Sequence, residues 1–270
     1  MDSNYIEIEL DKKDDTIHLE VMSDEHFGDP KRDEQLCERR QTAILDDPNR
    51  YTAFGGDMFN NIMPWDKRWD LSASKHNSLT TEVIEWKEFH KPLFNEHKRL
   101  LKKGKAPKIL YGLSGNHEYM DKHIDDPWMN QLFNEQQIKY LGSRGWIGLQ
   151  VNYKKKPLRR WKLFVAHGFG SSGALEKPLQ DMKVNNYADV FLMGHLHRKF
   201  VTTEIVYDFN FAEKQYVEKE IVLGNTGTFT HSIIRGKDSW FEHRNKSIHS
   251  PAGTITVSFN GYTGKLAGHL

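Results

Sequence analysis

The feature that most constrains the fold of this chain is an apolar run that stops at a polar tripeptide, and this arrangement recurs along the sequence. The run Ile109–Leu113 leads through a Ser-Gly pair into Asn116, His117 and Glu118. Similar runs precede Asp24 and His26, Asp57, His167, and the pair His195 and His197. Short apolar runs bounded by glycine or polar residues are typical of buried strands. We therefore expect several strand ends to bring reactive side chains into one crevice.

The spacing within two of these segments favours metal binding. Asp24 and His26 are two residues apart, so in an extended chain they face the same side, as two ligands of one metal must. The alternative is an ordinary strand-to-loop turn in which Asp24 caps a neighbouring element. His195 and His197 have the same spacing after a glycine, where an explanation by core packing is weak.

Length and composition indicate a folded, sheet-based protein, and we interpret residues 1–270 as a single domain. Hydrophobic residues make up 37% and aromatic residues 12% of the chain, which is too aromatic for a disordered protein. The 38 basic residues nearly balance the 37 acidic ones. Any attraction to nucleic acid would therefore come from local patches and not from the net charge.

Cysteine usage and hydropathy indicate the compartment. Cys37 is the single cysteine, so no intrachain disulfide can form and a reducing, cytoplasmic location is expected. The first residues lack the apolar segment of a signal peptide, and the longest apolar run, Val190–Met193, is far too short to span a bilayer. We expect no membrane partner, and the oligomeric state stays open.

Two polar segments could contact a substrate. The basic run Lys154–Arg160 is most simply a solvated hairpin turn, with contact to a phosphate backbone as the alternative. The Trp-rich segment Met63–Ser78 is interpreted as a surface loop that could cover the site or contact a substrate.

The longest predicted helix spans Thr80–Lys103, where apolar residues recur at helical spacing. Pro92 should kink or split this helix. His90 and His97 lie on or near its apolar stripe, and we interpret both as packed or solvent-facing, since neither has a carboxylate nearby in sequence.

The strand ends together offer more ligands than one metal ion can use. The set comprises Asp24, His26, Asp57, Asn116, His167, His195 and His197. Two ions that share one bridging carboxylate would use all of them. Imidazole and carboxylate ligands favour manganese, iron or zinc over calcium or magnesium. We expect two divalent transition-metal ions, manganese before iron, zinc or nickel.

In their order, these motifs resemble those of the calcineurin-like metallophosphoesterase family. The motifs are Asp-x-His, Gly-Asp, Gly-Asn-His-Glu, a lone His before Gly, and Gly-His-x-His, and they cover Ser23 to His197. The resemblance implies an α/β fold, a two-sheet αββα-type sandwich with the site at the C-terminal ends of the strands. It implies one ion held by Asp24, His26, Asp57 and His197 and another held by Asp57, Asn116, His167 and His195. It also implies a hydroxide between the ions as nucleophile and His117 as the acid that protonates the leaving oxygen.

One departure from the family pattern bears on the substrate. The phosphoprotein phosphatases of the family continue Gly-Asp as GDxxDR, whereas Asn60 and Asn61 stand here in place of the Asp and Arg. The bidentate clamp for a phosphate monoester is therefore missing, which favours a phosphodiester. The segment from Gly55 to Phe59, with Pro64, also resembles the GGDLF segment of the Mre11/SbcD nucleases. Asn60 leaves open which group orients His117.

The predicted function is that of a binuclear-metal phosphodiesterase, with nucleic acid as one candidate substrate. The alternative is a phosphomonoesterase that acts on a nucleotide or a phosphoprotein. A metal-bound scaffold without catalysis is disfavoured by the intact His117 and the full ligand set, because a degenerate site should have lost some of these residues.

Overall fold

The computed structural model describes residues 4–64, 66, 69, 74–76, 78–118, 127–168, 176–231 and 251–270. Within these residues the strands are β1 (Tyr5–Leu10), β2 (Thr16–Met22), β3 (Arg50–Gly55), β4 (Ile109–Leu113), β5 (Arg144–Tyr153), β6 (Lys156–Ala166), β7 (Val190–Met193), β8 (Lys199–Asn210), β9 (Gln215–Thr226), β10 (Thr256–Asn260) and β11 (Leu266–His269). The helices are α1 (Glu34–Asp46), α2 (Leu79–Phe89), α3 (Lys91–Lys102), α4 (Pro127–Glu135) and α5 (Glu176–Val184).

The strands of the described residues form two sheets that share one core. The larger sheet has the order β1-β5-β6-β7-β9-β8 and the smaller sheet the order β11-β10-β2-β3-β4. Both contribute to a single apolar cluster that includes Ile8 of β1, Val21 of β2 and Leu163 of β6. Strand β1 illustrates the cause, because buried and exposed residues alternate along it and only one face is apolar. The two apolar faces pack together and form a sandwich.

Helices cover the outer face of each sheet. Helices α1 to α4 pack on the smaller sheet through a second cluster that contains Phe54, Trp86 and Phe133. Helix α5 packs on the larger sheet through Leu179 and Met182. The layers are therefore helix, sheet, sheet and helix, and the predicted two-sheet α/β sandwich is confirmed.

The parallel pairs bring six strand ends to one edge of the sandwich. In the smaller sheet β2, β3 and β4 run parallel, and in the larger sheet β6, β7 and β9 do so. The loops that follow these strands also contact one another across the two sheets. The backbone N–H of Phe229 donates to the carbonyl oxygen of Asp24 over 3.1 Å. The strand ends predicted to carry chemistry therefore meet.

Several local predictions can be compared with the structure. The long helix is split into α2 and α3 at His90, two residues before Pro92. The basic run lies at the turn between β5 and β6, where Lys154 and Lys155 both have positive φ. Of the Trp-rich segment, Trp65 lies outside the described residues. No helix of the described residues combines the length and apolar character needed to cross a membrane.

Candidate metal centre

Six of the predicted ligands lie in the loops after β2, β3, β6 and β7, in conformations that local preference does not explain. Five of them have a positive φ: 54° for Asp24, 47° for His26, 50° for Asp57, 70° for His195 and 53° for His197. Non-glycine residues rarely adopt this region, and those that do are concentrated at functional sites. The surrounding fold therefore imposes these conformations.

The six side chains form two groups that share one carboxylate. Asp24, His26, Asp57 and His197 offer ligand atoms that all lie within 4.8 Å of one another, and so do Asp57, His167 and His195. Asp57 belongs to both groups, as the bridging residue should. Its carboxylate is 1% exposed. The arrangement can hold two cations side by side.

His167 shows why the second group fits a cation. Its Nδ1 lies 2.8 Å from the carbonyl oxygen of Gly55, so Nδ1 carries the proton and donates it. Nε2 of His167 then lies 3.1 Å from Oδ2 of Asp57. This nitrogen is buried and makes no hydrogen bond. Two lone pairs facing each other at this distance repel unless a positive charge lies between them. That charge can be a proton or a metal ion.

The first group also contains buried polar atoms that lie close together, two of which lack a hydrogen bond. Nε2 of His26 and Nε2 of His197 are 3.0 Å apart, and Nε2 of His197 is 3.1 Å from Oδ1 of Asp24. Oδ1 of Asp24 and Nδ1 of His26 are both buried without a hydrogen bond. Oδ2 of Asp24 accepts a hydrogen bond from the backbone N–H of His195 over 3.1 Å. Oδ1 is therefore the oxygen that Asp24 can offer to a cation in the first group.

Electrostatics keep the carboxylates charged and His26 neutral. Burial raises the pKa of Asp57, but His167, His117 and His26 outweigh it and leave that pKa well below its usual range. Burial lowers the pKa of His26 well below normal, and His117 and His197 lower it further. For His167, burial lowers the pKa, but Asp57 and Asp24 raise it to about 10. The site attracts positive charge at neutral pH.

The backbone carbonyl of Asn60 orients His117. Nδ1 of His117 lies 2.5 Å from this oxygen, and the ring is edge-on to that of His26 with centroids 4.6 Å apart. The backbone N–H of His117 donates to Oδ1 of Asp57 over 2.8 Å. The group that orients His117, left open by the sequence, is a backbone oxygen and not a side chain.

Glu118 joins the two loops on either side of the site. Its carboxylate, 2% exposed, accepts hydrogen bonds from four backbone N–H groups. The donors are Asp57 at 2.9 Å, Met58 at 2.8 Å, Phe59 at 3.2 Å and Gly115 at 2.6 Å. Burial and the charge of Asp57 raise the pKa of Glu118 to about 7. The motif that contains His117 therefore also fixes the backbone of the shared ligand.

Close approach of the loops requires glycine. A Cβ at Gly115 would lie 2.2 Å from Oδ1 of Asp57, and one at Gly56 would lie 2.6 Å from Nδ1 of His167. Gly56 also has a φ of 90°. These two glycines let the carboxylate and the imidazole meet.

Asn116 is placed differently from the other predicted ligands. The residue is exposed, although its neighbours Gly115 and His117 are both hydrogen-bonded at the site. Its backbone therefore lies beside Asp57, and its role as a ligand stays a prediction.

Asn61 and Glu82 support the loop that orients His117. The side-chain Nδ2 of Asn61 donates to the carbonyl oxygen of His117 over 2.7 Å. Glu82 of α2 is fully buried and accepts the backbone N–H of Asn61 over 2.9 Å. The sequence analysis missed Glu82, although a carboxylate four residues before the buried Trp86 lies on the apolar stripe and could have been noticed.

Comparison with known proteins gives structural similarity only. No model of a known protein family matches the chain, and no curated protein matches it. Among solved structures, Vps29 from Entamoeba histolytica matches with 11% identity and a TM-score of 0.37, over 94% of this chain and 97% of that one. A predicted phosphoesterase from Streptococcus pneumoniae matches with 12% identity and a TM-score of 0.35, over 94% and 97%. The calcineurin-like phosphoesterase YfkN from Bacillus subtilis matches with 9% identity and a TM-score of 0.35, over 93% and 87%. Similarity this low carries no information on activity or substrate.

Proposed function

We propose that this chain is a two-metal phosphodiesterase of the calcineurin-like metallophosphoesterase family. The observation that carries the proposal is the position of Asp57, whose carboxylate belongs to both groups of possible ligands. A shared carboxylate holds two ions close enough to act on one phosphoryl group. The motif resemblance and the two-sheet sandwich support the same conclusion.

The residues present fit two divalent ions. Asp24, His26, Asp57 and His197 would hold one ion; Asp57, His167 and His195 would hold the other, with Asn116 as a further ligand. When bound, such ions supply positive charge to the phosphoryl oxygens and activate water as a nucleophile. Mixed nitrogen and oxygen ligands favour manganese, with iron, zinc or nickel as alternatives.

His117 is proposed to supply the proton to the leaving oxygen. Its Nδ1 is committed to the carbonyl oxygen of Asn60, so Nε2 is the atom that can deliver a proton. Two backbone hydrogen bonds hold the residue: its N–H donates to Asp57 and its carbonyl oxygen accepts from Asn61. Glu118 in addition fixes the adjoining loops. The acid is therefore held in place before substrate binds.

The diester preference rests on what Asn61 does. This residue stands at the position of the monoester-clamping arginine, and its side chain bonds the carbonyl oxygen of His117. It is 5% exposed and carries no charge. A group committed to supporting the loop cannot also neutralise the second charge of a phosphate monoester.

Nucleic acid is one candidate diester, and the two lysines at the turn between β5 and β6 lie far from the proposed metal centre. Lys154 and Lys155 precede β6, and His167 follows it. Eleven residues of extended strand separate them, which is roughly 35 Å.

We propose residues 1–270 as one domain and, from the single buried Cys37, a cytoplasmic location.

The test compares a phosphodiester and a phosphomonoester that share the same leaving group. Manganese-loaded protein should hydrolyse bis-p-nitrophenyl phosphate faster than p-nitrophenyl phosphate, and single-stranded and duplex DNA and RNA should be assayed beside them. Asp57→Asn should abolish both metal binding and turnover. Faster hydrolysis of the monoester, with nucleic acids intact, would overturn the diesterase proposal in favour of a phosphomonoesterase.

A further inference from the structure

A buried contact between a carboxylate and an imidazole lies next to the first group of ligands. Glu25 stands in sequence between Asp24 and His26, and its side chain contacts His90 instead of joining those ligands. Both oxygens of Glu25 lie 3.2 Å from Nε2 of His90. Both residues are 0% exposed. No local sequence pattern predicts this contact, because 65 positions separate the two residues.

The second ring nitrogen of His90 is also held. Nδ1 of His90 lies 2.8 Å from Oε1 of Gln41, and the amide nitrogen of Gln41 donates to the carbonyl oxygen of Phe89 over 3.1 Å. This bond fixes which end of the amide faces the ring. Both ring nitrogens of His90 therefore lie at hydrogen-bonding distance from side-chain oxygens, and the ring is fixed from two sides.

The pair connects the helical layer to the loop after β2. His90 is the residue between α2 and α3, and Gln41 belongs to α1. On its other side the loop is fixed by backbone bonds, from the N–H of Asp24 to Gly56 and from the N–H of His26 to Asp57. The loop is thus held from both the helices and the neighbouring strand end.

The backbone conformation of the loop after β2 explains why contacts to it matter. Asp24 and His26 both have left-handed φ, at 54° and 47°, and each such residue costs about 1 kcal/mol or more. A loop that carries two strained residues in three must be held by contacts with its surroundings. The middle residue is Glu25.

We propose that His90 is a positioning residue for the metal centre: through its contact with Glu25 it fixes the backbone from which Asp24 and His26 reach the same ion. The inference rests on the proposed two-metal function. It predicts that loss of the pair weakens the first ion site much more than the second, which a general loss of stability would not do.

The test measures Mn²⁺ affinity by calorimetric titration in two backgrounds. His167→Asn removes a ligand of the second group, so the remaining ion reports on the first group; His197→Asn does the reverse. His90→Ala should lower Mn²⁺ affinity about tenfold in the first background and less than twofold in the second. His90→Gln, whose amide can still donate to Glu25, should recover part of the loss.

His97 supplies the matched control. It is also a buried histidine, on α3, and it bonds the carbonyl oxygen of Gln137 and the N–H of Ile109, each over 3.1 Å, with no link to the loop after β2. His97→Ala should lower the melting temperature while leaving Mn²⁺ affinity within twofold in both backgrounds.

The possible results distinguish the positioning role of His90 from the proposed two-metal function. Equal weakening in both backgrounds, or an effect of His97→Ala as large as that of His90→Ala, would overturn the positioning role. Failure of the wild-type chain to bind Mn²⁺ would instead overturn the proposed function. If His90→Ala does not fold, Glu25→Ala removes the same contact from its other side, and unchanged Mn²⁺ affinity in that variant would overturn the positioning role as well.

Discussion

His117, the proposed proton donor, is the residue whose replacement best separates catalysis from metal binding. His117→Asn should lower kcat by about a hundredfold or more on a diester with a poor leaving group. The loss should be much smaller for bis-p-nitrophenyl phosphate, because nitrophenolate leaves without help from an acid. Initial rates on a dinucleotide and on the nitrophenyl diester measure the difference, and metal content should stay at the wild-type value.

His18→Asn is a suitable control for that comparison. His18 lies toward the other end of β2 and its Nδ1 contacts the hydroxyl of Ser258, so its loss should leave both rates unchanged. Equal losses on the two diesters after His117→Asn would show that His117 acts other than as the acid.

Glu118 should matter for stability as well as for geometry. Each oxygen accepts two backbone N–H bonds, so Glu118→Gln sets an amide NH₂ against two donors. We expect the free energy of unfolding to fall by about 3 kcal/mol, since buried donors are left unsatisfied. Urea denaturation measures the change. As a control, Glu85→Gln, at an exposed position on α2, should change the free energy of unfolding by less than about 0.5 kcal/mol. If Glu118→Gln left the free energy of unfolding unchanged, Glu118 would not stabilise the two loops.

The residues that sequence reasoning found and those it missed differ in one respect. Asp24, His26, Asp57 and His117 were found because each directly follows an apolar run and carries a reactive group. The contacts of Asn60 and Glu25 were missed because the first uses a backbone oxygen, which no side-chain pattern reveals, and the second has a partner 65 positions away. Contacts of this kind are set by the tertiary fold.

At the scale of elements, α2 should make stability depend on pH through Glu82. Burial raises the pKa of this carboxyl from 4.5 to about 8, against the N–H groups of Asn61 and Asn60, which lower it. The folded protein therefore binds more protons than the unfolded chain between these values, and the free energy of unfolding falls as pH rises through that range. We expect a loss of about 3 kcal/mol from this residue between pH 5 and pH 8.

Glu82→Gln isolates that contribution. The neutral amide can place its oxygen at the N–H of Asn61 and cannot ionise, so the variant should be less sensitive to pH between 5 and 8 than the wild type. Chemical denaturation of metal-free protein at several pH values gives the comparison. Parallel pH profiles for the two proteins would show that Glu82 does not titrate in this way.

Element boundaries were predictable where a residue has a local steric effect. Pro92 splits the long helix because it has no N–H to donate and its ring clashes with the carbonyl group four residues earlier. The turn between β5 and β6 was predicted from the polar run alone, and Lys154 and Lys155 close it with positive φ. The order of strands in the two sheets was not predictable from such effects. The two-sheet arrangement was predicted from the family resemblance, but the strand order was not predicted, because the partner of a strand is decided by packing between distant segments.

At the scale of the whole molecule, each group of ligands spans both sheets. Asp24, His26 and Asp57 follow strands of the smaller sheet, whereas His167, His195 and His197 follow strands of the larger one. Neither ion site can form within one sheet alone. A bound ion should therefore hold the two halves of the sandwich together at the edge where the loops meet.

Metal binding should accordingly stabilise the whole fold and not only the loops. An ion at a hundredfold excess over its Kd contributes about 2.7 kcal/mol, so Mn²⁺ should raise the melting temperature of chelator-treated protein by roughly 5 °C or more. Calcium should raise it less, since it prefers sites made of oxygen ligands only. Asp57→Asn should abolish the Mn²⁺ effect because it weakens both groups at once, whereas His18→Asn should keep it. If Mn²⁺ left the melting temperature unchanged, or raised it equally in Asp57→Asn, the ion would not bridge the sheets.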